Sequence, residues 1–391
     1  MIPLTLKQIA DIVGGTTFGD ESQIINSAPV FDSRLAVKGS LFLALVGENS
    51  DGHDFIDDAI SHGATGLMTT KVVPGDGVVV NDVLLAVRAL ASYVRKQLPN
   101  LIVVGITGSS GKTTTKDLLA SILSSRAQCV ATKASFNNEL GAPITLLKCD
   151  EKTKYCILEM GARHKGDIAA LCEMAKPNVG VVLRVGTAHL GEFGSVEKIA
   201  ETKGELIQAL APDAVAVLGT YDPHTKAMNS LHAGKIIYFG EDSHDDVRAA
   251  DIEMREARPH FDLVTPAGRD AVGMRLIGMH QVSNALAAAA VCTALEIPIE
   301  VIASGLSTAD LASKWRMQIN DVEELLIIND SYNANPESMK AGLDSLVLFA
   351  QERGGASWAF LGQMHELGNQ SDVLHAQVGA HAHTLGIDHL V

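Results

Sequence analysis

The stretch LIVVGITGSSGKTTTKDLLASIL, residues 101–123, combines three local patterns in a fixed order. Seven mostly apolar residues predict a buried strand, GSSG predicts a glycine-rich turn, and the remainder has the apolar spacing of an amphipathic helix. Gly108 and Gly111 allow backbone amides to turn inward, next to a helix N-terminus that carries partial positive charge. This order of elements is typical of a phosphate-binding loop.

The residues after the turn predict how a nucleotide would be held. Lys112 would reach the β- and γ-phosphates, and the Thr113 hydroxyl would ligate magnesium. The predicted cofactor-binding residues of the loop also include Ser109, Ser110 and Thr114. The strict pattern G-x-x-x-x-G-K-[ST] fails because Ile106 occupies its first glycine position, so the match is the shorter GSSGKTT. With the strand and the helix in place, the sequence favours nucleotide binding over a simple glycine-rich turn.

The alternation of apolar runs and helical segments after Leu101 predicts an α/β protein with a central, doubly wound, mostly parallel sheet. The runs read LIVVGIT, CVATK, YCILEMG, VGVVLRVG and AVAVLG. Runs of this kind suit strands that are buried on both faces. Residues 252–277 predict additional edge strands, and VSNALAAAAVCTAL predicts a tightly packed helix.

Changes in the pattern of apolar runs and helical segments divide the chain into three predicted domains. The first, residues 1–98, has short extended runs and ends in the helix DVLLAVRALASYVRKQL, which Pro99 stops. The central domain spans residues 99–312. The C-terminal domain spans residues 313–391, where ELLIIND, a helix from about Pro336, SWAFLGQM and IDHLV again alternate strand with helix. We expect this last domain to be Rossmann-like and incomplete, since the chain stops on an apparent strand at Val391.

Length and charge exclude several classes of protein. The 391 residues exceed the roughly 100–200 of one domain. With 46 acidic and 31 basic residues the net charge is −15, and the absence of a basic, aromatic-rich run argues against nucleic-acid binding. No apolar stretch is long enough for a membrane span and no secretory signal is visible, so we expect a cytoplasmic protein. Five scattered cysteines without a CxxC pair argue against disulfides and structural zinc.

Glu159 and His189 lie near predicted strand ends and are candidates for metal or phosphate contacts, whereas Lys203 is a charged residue on a predicted helix. Glu159 follows the buried run in ILEMGARHKGDI, at the edge where ligands of such sheets gather, although a surface acid is an equal alternative. His189 lies in the glycine-flanked GTAHLGEFGS on the same side, which favours a functional role. Lys203 in IAETKGEL lies on a predicted helix, where the residues alone indicate a solvated cation.

Eight strings of the sequence, in order, resemble motifs of the Mur ligase family. They read GSSGKTT, SFNNELGAP, EMGARHKGDI, GTAHLGEFGS, TKGEL, GMHQVSNALAAAA, SKWRMQ and NDSYNANPESM. SYNANPESM and LGQMHELG are most similar to members that add D-alanyl-D-alanine to UDP-N-acetylmuramoyl-tripeptide. The resemblance implies an ATP- and magnesium-dependent peptide ligase of peptidoglycan precursor synthesis, which forms an amide through an acyl phosphate. We expect a monomer.

The resemblance also implies roles for individual residues. Lys203 matches a lysine that is carbamylated in many members, which turns a cation into a carboxylate that helps to position magnesium. Glu159 and His189 match metal-binding positions. The predicted metal ligands are therefore Thr113, Glu159, His189 and Lys203.

A second group of residues matches positions that contact the nucleotide. Asn284 and Asp330 match residues that contact the adenosine, and Arg316 matches an arginine that reaches the γ-phosphate. The predicted catalytic residues are Lys112, His189, Lys203 and Arg316.

The segment DSRLAVKGSLFLALVGENSDGHDF, residues 32–55, is similar to the UDP-sugar region of the family. The substrate contacts that we expect are Ser33, Arg34, Asp51 and His53, with Asn137 and Asn138 of SFNNELGAP. Asp51 and His53 could equally stabilise the turns of their own loop.

Three residues depart from the family pattern. Arg184 stands where Asn is usual, which places a cation just ahead of the His189 loop, where it could alter metal or phosphate binding. Gln281 replaces a usual Asn and Gln363 a usual acidic residue, and both changes are expected to retune hydrogen bonds.

Three alternative functions remain open at this point. The first is the family's ligase for the third amino acid, which an Asp-Asn-Pro-Arg string in the last domain would favour, and the sequence has none. The second is a ligase like folylpolyglutamate synthetase, for which the UDP-like segment has no obvious use. The third is a non-catalytic nucleotide-binding module, which Arg184 and the apparently missing end support.

Overall fold

Strands and helices alternate along nearly the whole chain in the structure, a computed structural model that describes residues 1–47, 49–133, 136–188, 190–310, 313 and 315–391. Its strands are β1 (Leu4–Thr5), β2 (Thr16–Phe18), β3 (Ile24–Ile25), β4 (Leu41–Leu43), β5 (Gly66–Thr69), β6 (Gly77–Val79), β7 (Ile102–Thr107), β8 (Cys129–Ala131), β9 (Tyr155–Glu159), β10 (Val179–Val182), β11 (Val215–Gly219), β12 (Lys235–Gly240), β13 (Val247–Arg255), β14 (Arg258–Thr265), β15 (Gly268–Gly273), β16 (Gln318–Val322), β17 (Leu325–Asn329), β18 (Trp358–Ala359) and β19 (His389–Leu390). Its α-helices are α1 (Leu6–Val13), α2 (Ile56–His62), α3 (Val83–Gln97), α4 (Lys112–Ser124), α5 (Gly141–Leu147), α6 (Asp167–Ala175), α7 (Leu190–Phe193), α8 (Val196–Gln208), α9 (Pro223–Ala227), α10 (His280–Ala294), α11 (Ile299–Thr308), α12 (Pro336–Arg353) and α13 (Ser371–Thr384). Short 3₁₀ helices span Ser33–Leu35, Gly52–Phe55, Met228–Leu231 and Gly368–Gln370.

The chain divides into two compact units by its internal contacts. The first unit comprises Met1–Val103, Ala127–Met160 and Ala170–Lys176. The second unit comprises Val104–Arg126, Gly161–Ala169 and Pro177–Val391. This division does not test the three predicted domain boundaries, which stay predictions.

The first unit contains a four-stranded sheet with the order β2-β6-β5-β4, in which β4, β5 and β6 are parallel and β2 is antiparallel. The helix α3 forms as the sequence predicts: the Asp82 side chain accepts a hydrogen bond from the Leu85 amide at its start, and one face is buried. Phe42, Ile56 and Leu67 belong to the apolar core of this unit. The parallel pair β8 and β9 belongs to the same unit.

The second unit contains the strand series β15-β14-β13-β12-β11-β10-β7. From β7 to β13 neighbouring strands are parallel, and β13, β14 and β15 then form an antiparallel edge. Val182 at the end of β10 pairs with Thr107 at the end of β7, so the loops that follow both strands start at the same edge. The mixed, mostly parallel sheet and its antiparallel edge confirm the predicted α/β class.

Helix α10 packs closely on the helix that follows the phosphate loop. It contacts α4, and its alanines 285 and 287–290 are fully buried. Small side chains allow two helices to approach closely, so the run NALAAAA suits this contact.

Five strands have no predicted run in the sequence: β1, β2 and β3 of the first unit, and β12 and β16 of the second. The run that forms β12, KIIYFG, is apolar and bounded by glycines, so its signal was present. Strand β16 is polar, QINDV, and forms a hairpin with β17 in which Val322 pairs with Leu325. Pairing with the predicted strand β17, rather than its own composition, accounts for β16.

The remaining expectations on membrane spans and cysteines can be checked directly. Within the residues that the structure describes, no helix combines the length and apolar character that a membrane crossing requires. All five cysteines are free thiols, and all except the half-buried Cys129 are buried.

Candidate active site

The phosphate loop has the conformation that its glycines allow. Gly111 has a φ of 84°, and a Cβ there would lie 2.3 Å from the Asn284 Oδ1. A Cβ on Gly108 would lie 2.9 Å from that of Leu183. The Lys112 ammonium donates a hydrogen bond to the Gly108 carbonyl at 2.7 Å, so it lies over the loop. Strand, loop and helix thus occur in the predicted order.

Arg316 joins the C-terminal part of the chain to this loop. Its Nη2 donates a hydrogen bond to the Thr113 Oγ1 at 3.0 Å, although the two residues are 203 positions apart. The guanidinium also lies over the Tyr332 ring, 4.2 Å from its centroid. The structure therefore brings Arg316, which is predicted to reach the γ-phosphate, to Thr113, one of the predicted magnesium ligands.

A cleft beside the loop contains the predicted adenosine contacts. It has an empty volume of about 820 Å³, part of it open to solvent, and its lining includes Ser110, Gly111, Thr114, Asn284, Arg316 and Asp330. Burial raises the pKa of Asp330 to about 6. Its Oδ1 accepts a hydrogen bond from the Met317 amide at 3.0 Å, which fixes the carboxyl next to Arg316.

Gln281 supports Asn284 through a short chain of contacts. The Asn284 Nδ2 donates to the Gln281 Oε1 at 3.0 Å, and the Gln281 Nε2 lies 3.0 Å from the His280 Nε2. Burial lowers the pKa of His280 to about 4, so its ring is neutral at pH 7 and Nε2 can accept from the amide. Gln281 therefore contacts both Asn284 and His280, and the effect of its departure from the family pattern stays a prediction.

Arg184 lines the same cleft. Its guanidinium lies over the Tyr221 ring, 5.8 Å from the centroid. Burial and the nearby Glu241 raise the pKa of Tyr221, so its hydroxyl keeps its proton at neutral pH. The unusual cation thus has an aromatic neighbour inside the cleft.

Lys203 is buried on α8, so the interpretation of a solvated cation is wrong. Its side chain lies in the interior because α8 presents the face with Ile199, Lys203 and Leu206 to the sheet. Burial, with a smaller contribution from the positive charge of Lys112, lowers the pKa of Lys203 to about 7. A buried amine that loses its proton near neutral pH is a nucleophile that can react with carbon dioxide.

Glu159 lies at the end of β9 in the first unit and is buried rather than a surface acid. It accepts a hydrogen bond from the Asn137 Nδ2 at 2.8 Å, and its amide donates to the Thr132 Oγ1 at 3.1 Å. The predicted metal ligand and one predicted substrate contact thus touch each other. His189 lies outside the described residues. Those residues contain no group of three His, Cys, Asp or Glu side chains that could hold a metal.

The other predicted substrate residues also lie in the first unit. Asp51 accepts hydrogen bonds from the His53 amide at 2.9 Å and from its Nδ1 at 2.6 Å, so both residues stabilise their own turn. Arg34 is exposed and makes two hydrogen bonds with Asp32, at 2.9 and 2.7 Å. Ser33 is buried.

An aromatic contact brings two of the predicted substrate segments side by side. Phe31 stacks on Phe136 with ring centroids 5.4 Å apart. This places the segment of Ser33 and Arg34 next to the segment of Asn137. Asn138 accepts hydrogen bonds from the amides of residues 140 and 141, so it stabilises the start of α5.

Three polar contacts around the site involve residues that were not predicted from the sequence. Lys116 and Asp117 form a buried ion pair at 2.7 Å, and Asp117 accepts a hydrogen bond from the Ser313 amide at 3.2 Å, close to Arg316. Glu337 accepts two hydrogen bonds from Thr187, far away in sequence. No local pattern predicts the Asp117–Ser313 and Thr187–Glu337 contacts, because each joins segments that meet only in the folded chain.

Comparison with known proteins places these features in one family. A model of the Mur ligase middle domain matches residues 106–292, and a model of the Mur ligase glutamate ligase domain matches residues 315–391. The chain is 43% identical to the UDP-N-acetylmuramoyl-tripeptide–D-alanyl-D-alanine ligase of Mycobacterium tuberculosis, over 100% of this chain and 83% of that protein. The chain belongs to the Mur ligase family.

Solved structures of Mur ligases share its fold along nearly the whole chain. A crystal structure of MurF from Acinetobacter baumannii has a TM-score of 0.90 at 35% identity and covers 99% of this chain and 85% of that one. MurF from Thermotoga maritima, solved in complex with ADP, has a TM-score of 0.81 at 30% identity, with 93% and 83% covered. The predicted Mur ligase resemblance is therefore confirmed.

Proposed function

We propose that this chain is the ATP-dependent ligase that joins D-alanyl-D-alanine to UDP-N-acetylmuramoyl-tripeptide in peptidoglycan precursor synthesis. The observation that carries the proposal is the 43% identity, over the full chain, to a ligase named for this reaction. The Arg316 contact with Thr113 adds geometry that suits transfer of a phosphoryl group.

The chemical problem is that a carboxylate does not react with an amine at neutral pH, because its oxygen is a poor leaving group. An oxygen of the tripeptide's terminal carboxylate attacks the γ-phosphorus of ATP, which forms an acyl phosphate and releases ADP. The dipeptide amine then attacks the acyl carbon. The tetrahedral intermediate expels phosphate, loses the amine proton and leaves the new amide. No protein nucleophile is required.

Two cations of the chain stabilise the negative charge of phosphoryl transfer. Lys112 lies over the loop, and Arg316 reaches the first turn of α4. In an enclosed site such contacts are stronger than in water. Asp330 and Asn284 hold the adenosine in the cleft.

The donor groups of the chain fit magnesium, which prefers oxygen ligands. In the second unit, the Thr113 hydroxyl and a carbamate on Lys203 would supply oxygen donors. Glu159 and His189 stay predicted ligands on the family resemblance alone. When bound, the ion neutralises charge on the β- and γ-phosphates. Lys203 supports this proposal because its pKa of about 7 favours the neutral amine that carbamylation requires.

The amine donor distinguishes the proposed reaction from its alternatives. Phosphate release is measured with ATP and UDP-N-acetylmuramoyl-tripeptide, and D-alanyl-D-alanine is compared with single amino acids. Release with the dipeptide alone supports the proposal. Release with a single amino acid and UDP-muramyl dipeptide indicates the third-residue ligase, and release with a folate and glutamate indicates a folylpolyglutamate synthetase. ATP binding without release under all conditions would indicate a nucleotide-binding module.

We also propose that the chain acts in the cytoplasm as a monomer, and that the domain boundaries lie near residues 98 and 312. The cleft and Arg316 support a site completed within one chain. Sedimentation analysis tests the monomer, and fractionation of cells tests the location.

A further inference from the structure

Glu337, in the first turn of α12, contacts the loop that follows β10. Its Oε1 accepts hydrogen bonds from the Thr187 amide at 3.0 Å and from the Thr187 hydroxyl at 2.9 Å. Asn335 caps the helix and accepts a hydrogen bond from the Ser338 amide at 2.9 Å, which fixes the turn that carries Glu337. The contact thus joins the C-terminal part of the chain to a loop of the large sheet.

The same loop also contacts the phosphate loop. The Gly186 amide donates to the Ser109 Oγ at 2.8 Å, and the Ser109 amide donates to the Arg184 carbonyl at 3.0 Å. A Cβ on Gly186 would lie 2.9 Å from the Glu337 Oε1 and 3.4 Å from the Ser109 Cβ. Glycine therefore allows all three segments to meet. The hydrogen bonds Ser109–Gly186 and Thr187–Glu337 are together called the Glu337 bridge.

We propose that Glu337 is a positioning residue, which holds the C-terminal segment against the phosphate loop so that Arg316 reaches the transferring phosphate. This inference rests on the proposed function. Arg316 contacts Thr113 only while its segment lies beside α4, and the Glu337 bridge is a second attachment of the same segment. Ser109, one end of the bridge, belongs to the loop that would surround the phosphates, so the bridge attaches the C-terminal segment next to the site of phosphoryl transfer.

The two oxygens of Glu337 differ in a way that gives the inference a sharp test. Oε1 takes both hydrogen bonds, whereas Oε2 is buried and has no hydrogen-bond partner among the described residues. A buried, unpartnered carboxylate oxygen is unfavourable. Glutamine would keep the accepting oxygen and remove the unpaired charge. A positioning role in the Glu337 bridge requires only an accepting oxygen at residue 337, which glutamine also provides. A role as metal ligand or general base would require the carboxylate itself.

The experiment compares Glu337→Ala, Glu337→Gln and Thr187→Val with a matched control, Glu352→Ala. Glu352 lies at the other end of α12 and accepts a hydrogen bond from the Ala257 amide at 3.2 Å. The control thus removes the same kind of contact from the same helix, far from the phosphate loop. For each variant, kcat for dipeptide-dependent phosphate release and the affinity for ADP are measured separately.

We expect E337A to lower kcat by about tenfold or more, as removal of hydrogen bonds to a charged group does. The affinity for ADP should change by less than about threefold, because residues 108–114 make the phosphate contacts. E337Q and E352A should retain kcat within about threefold of the unmodified chain. The kcat of T187V should fall less than that of E337A. In the double variant the two decreases in kcat should not add, since both substitutions remove the same contact.

The opposite results would overturn the inference. If E337Q loses as much kcat as E337A, the carboxylate itself is needed and the positioning role is wrong. Equal losses in E352A and E337A would show general weakening of α12, and an unchanged kcat in E337A would show that the contact is dispensable.

Hydrogen exchange of the Thr187 amide with ADP bound provides a measurement that requires no turnover. E337A should accelerate this exchange, and E337Q should not. Should the unmodified chain release no phosphate with any donor, the proposed function fails, and the exchange rates alone decide whether the Glu337 bridge exists.

Discussion

The predicted carbamate on Lys203 forms from carbon dioxide, so removal of carbon dioxide tests it. Only the neutral form of the lysine amine reacts with carbon dioxide, so the pKa of Lys203 sets the fraction of molecules that can react. A lysine with the ordinary pKa of 10.5 is neutral in about one molecule in 3000 at pH 7, whereas a pKa of about 7 makes about half of the molecules neutral. Burial thus raises the reactive fraction by about three orders of magnitude. At fixed dissolved carbon dioxide, we expect the carbamate signal in ¹³C NMR and the ligase activity to rise together from pH 6 to 8.

The lowered pKa of Lys203 also makes the stability of the fold depend on pH. Folding lowers the pKa of Lys203, so below pH 7 the folded chain carries a buried cation that the unfolded chain solvates. Between pH 7 and 10.5 the unfolded chain binds more protons, and this lysine makes the free energy of unfolding rise with pH.

Two variants complete the test. Lys203→Glu supplies a carboxylate that needs no carbon dioxide, whereas Lys203→Met supplies neither charge. We expect Lys203→Met to lose about 10- to 100-fold in activity, as removal of groups that position a metal does. Lys203→Glu should recover part of this loss and be insensitive to carbon dioxide. Unchanged activity of the original chain after carbon dioxide removal, together with an active Lys203→Met variant, would refute the reasoning.

Three further changes test other parts of the site. Arg316→Lys should lower kcat by about tenfold or more but leave ADP affinity nearly unchanged, because an ammonium lacks the planar guanidinium that reaches Thr113. Phosphate release measures kcat and calorimetry measures ADP affinity, and equal losses in both would contradict this prediction. Gly111→Ala should destabilise the fold by about 1–3 kcal/mol and weaken ATP binding, since φ is positive and the Cβ would meet Asn284; thermal unfolding and titration check it, and an unchanged variant refutes it. Asp51→Ala should lower the melting temperature by removing two hydrogen bonds within its turn; an unchanged KM for the UDP substrate would show that this residue acts only on the turn.

Local sequence patterns predict those elements that are determined by residues adjacent in the chain. The phosphate loop follows from a buried strand, two glycines and a helix start that are adjacent in the chain. Helix α3 follows from its apolar spacing, the Asp82 cap and Pro99. The hairpin strand β16 was missed because its polar residues become a strand only through pairing with β17.

The site residues show the same limit. Arg316 and Thr113 were predicted separately, from a motif and from the family resemblance, but their contact depends on tertiary structure. The residues around Lys203 indicated a solvated cation, because burial of one helix face against the sheet is not visible in TKGEL alone. Glu337 lies within the family string NDSYNANPESM, but its contact with Thr187 could not be predicted, since the two residues are 150 positions apart.

The central claim, that ATP activates the tripeptide by phosphorylating its terminal carboxylate, is tested most directly with oxygen isotopes. UDP-N-acetylmuramoyl-tripeptide labelled with ¹⁸O in that carboxylate is incubated with the chain, ATP and D-alanyl-D-alanine, and the released phosphate is examined by mass spectrometry. We expect one labelled oxygen in each phosphate, because the attacking carboxylate oxygen leaves with phosphorus. Ligated product accompanied by unlabelled phosphate would contradict the account.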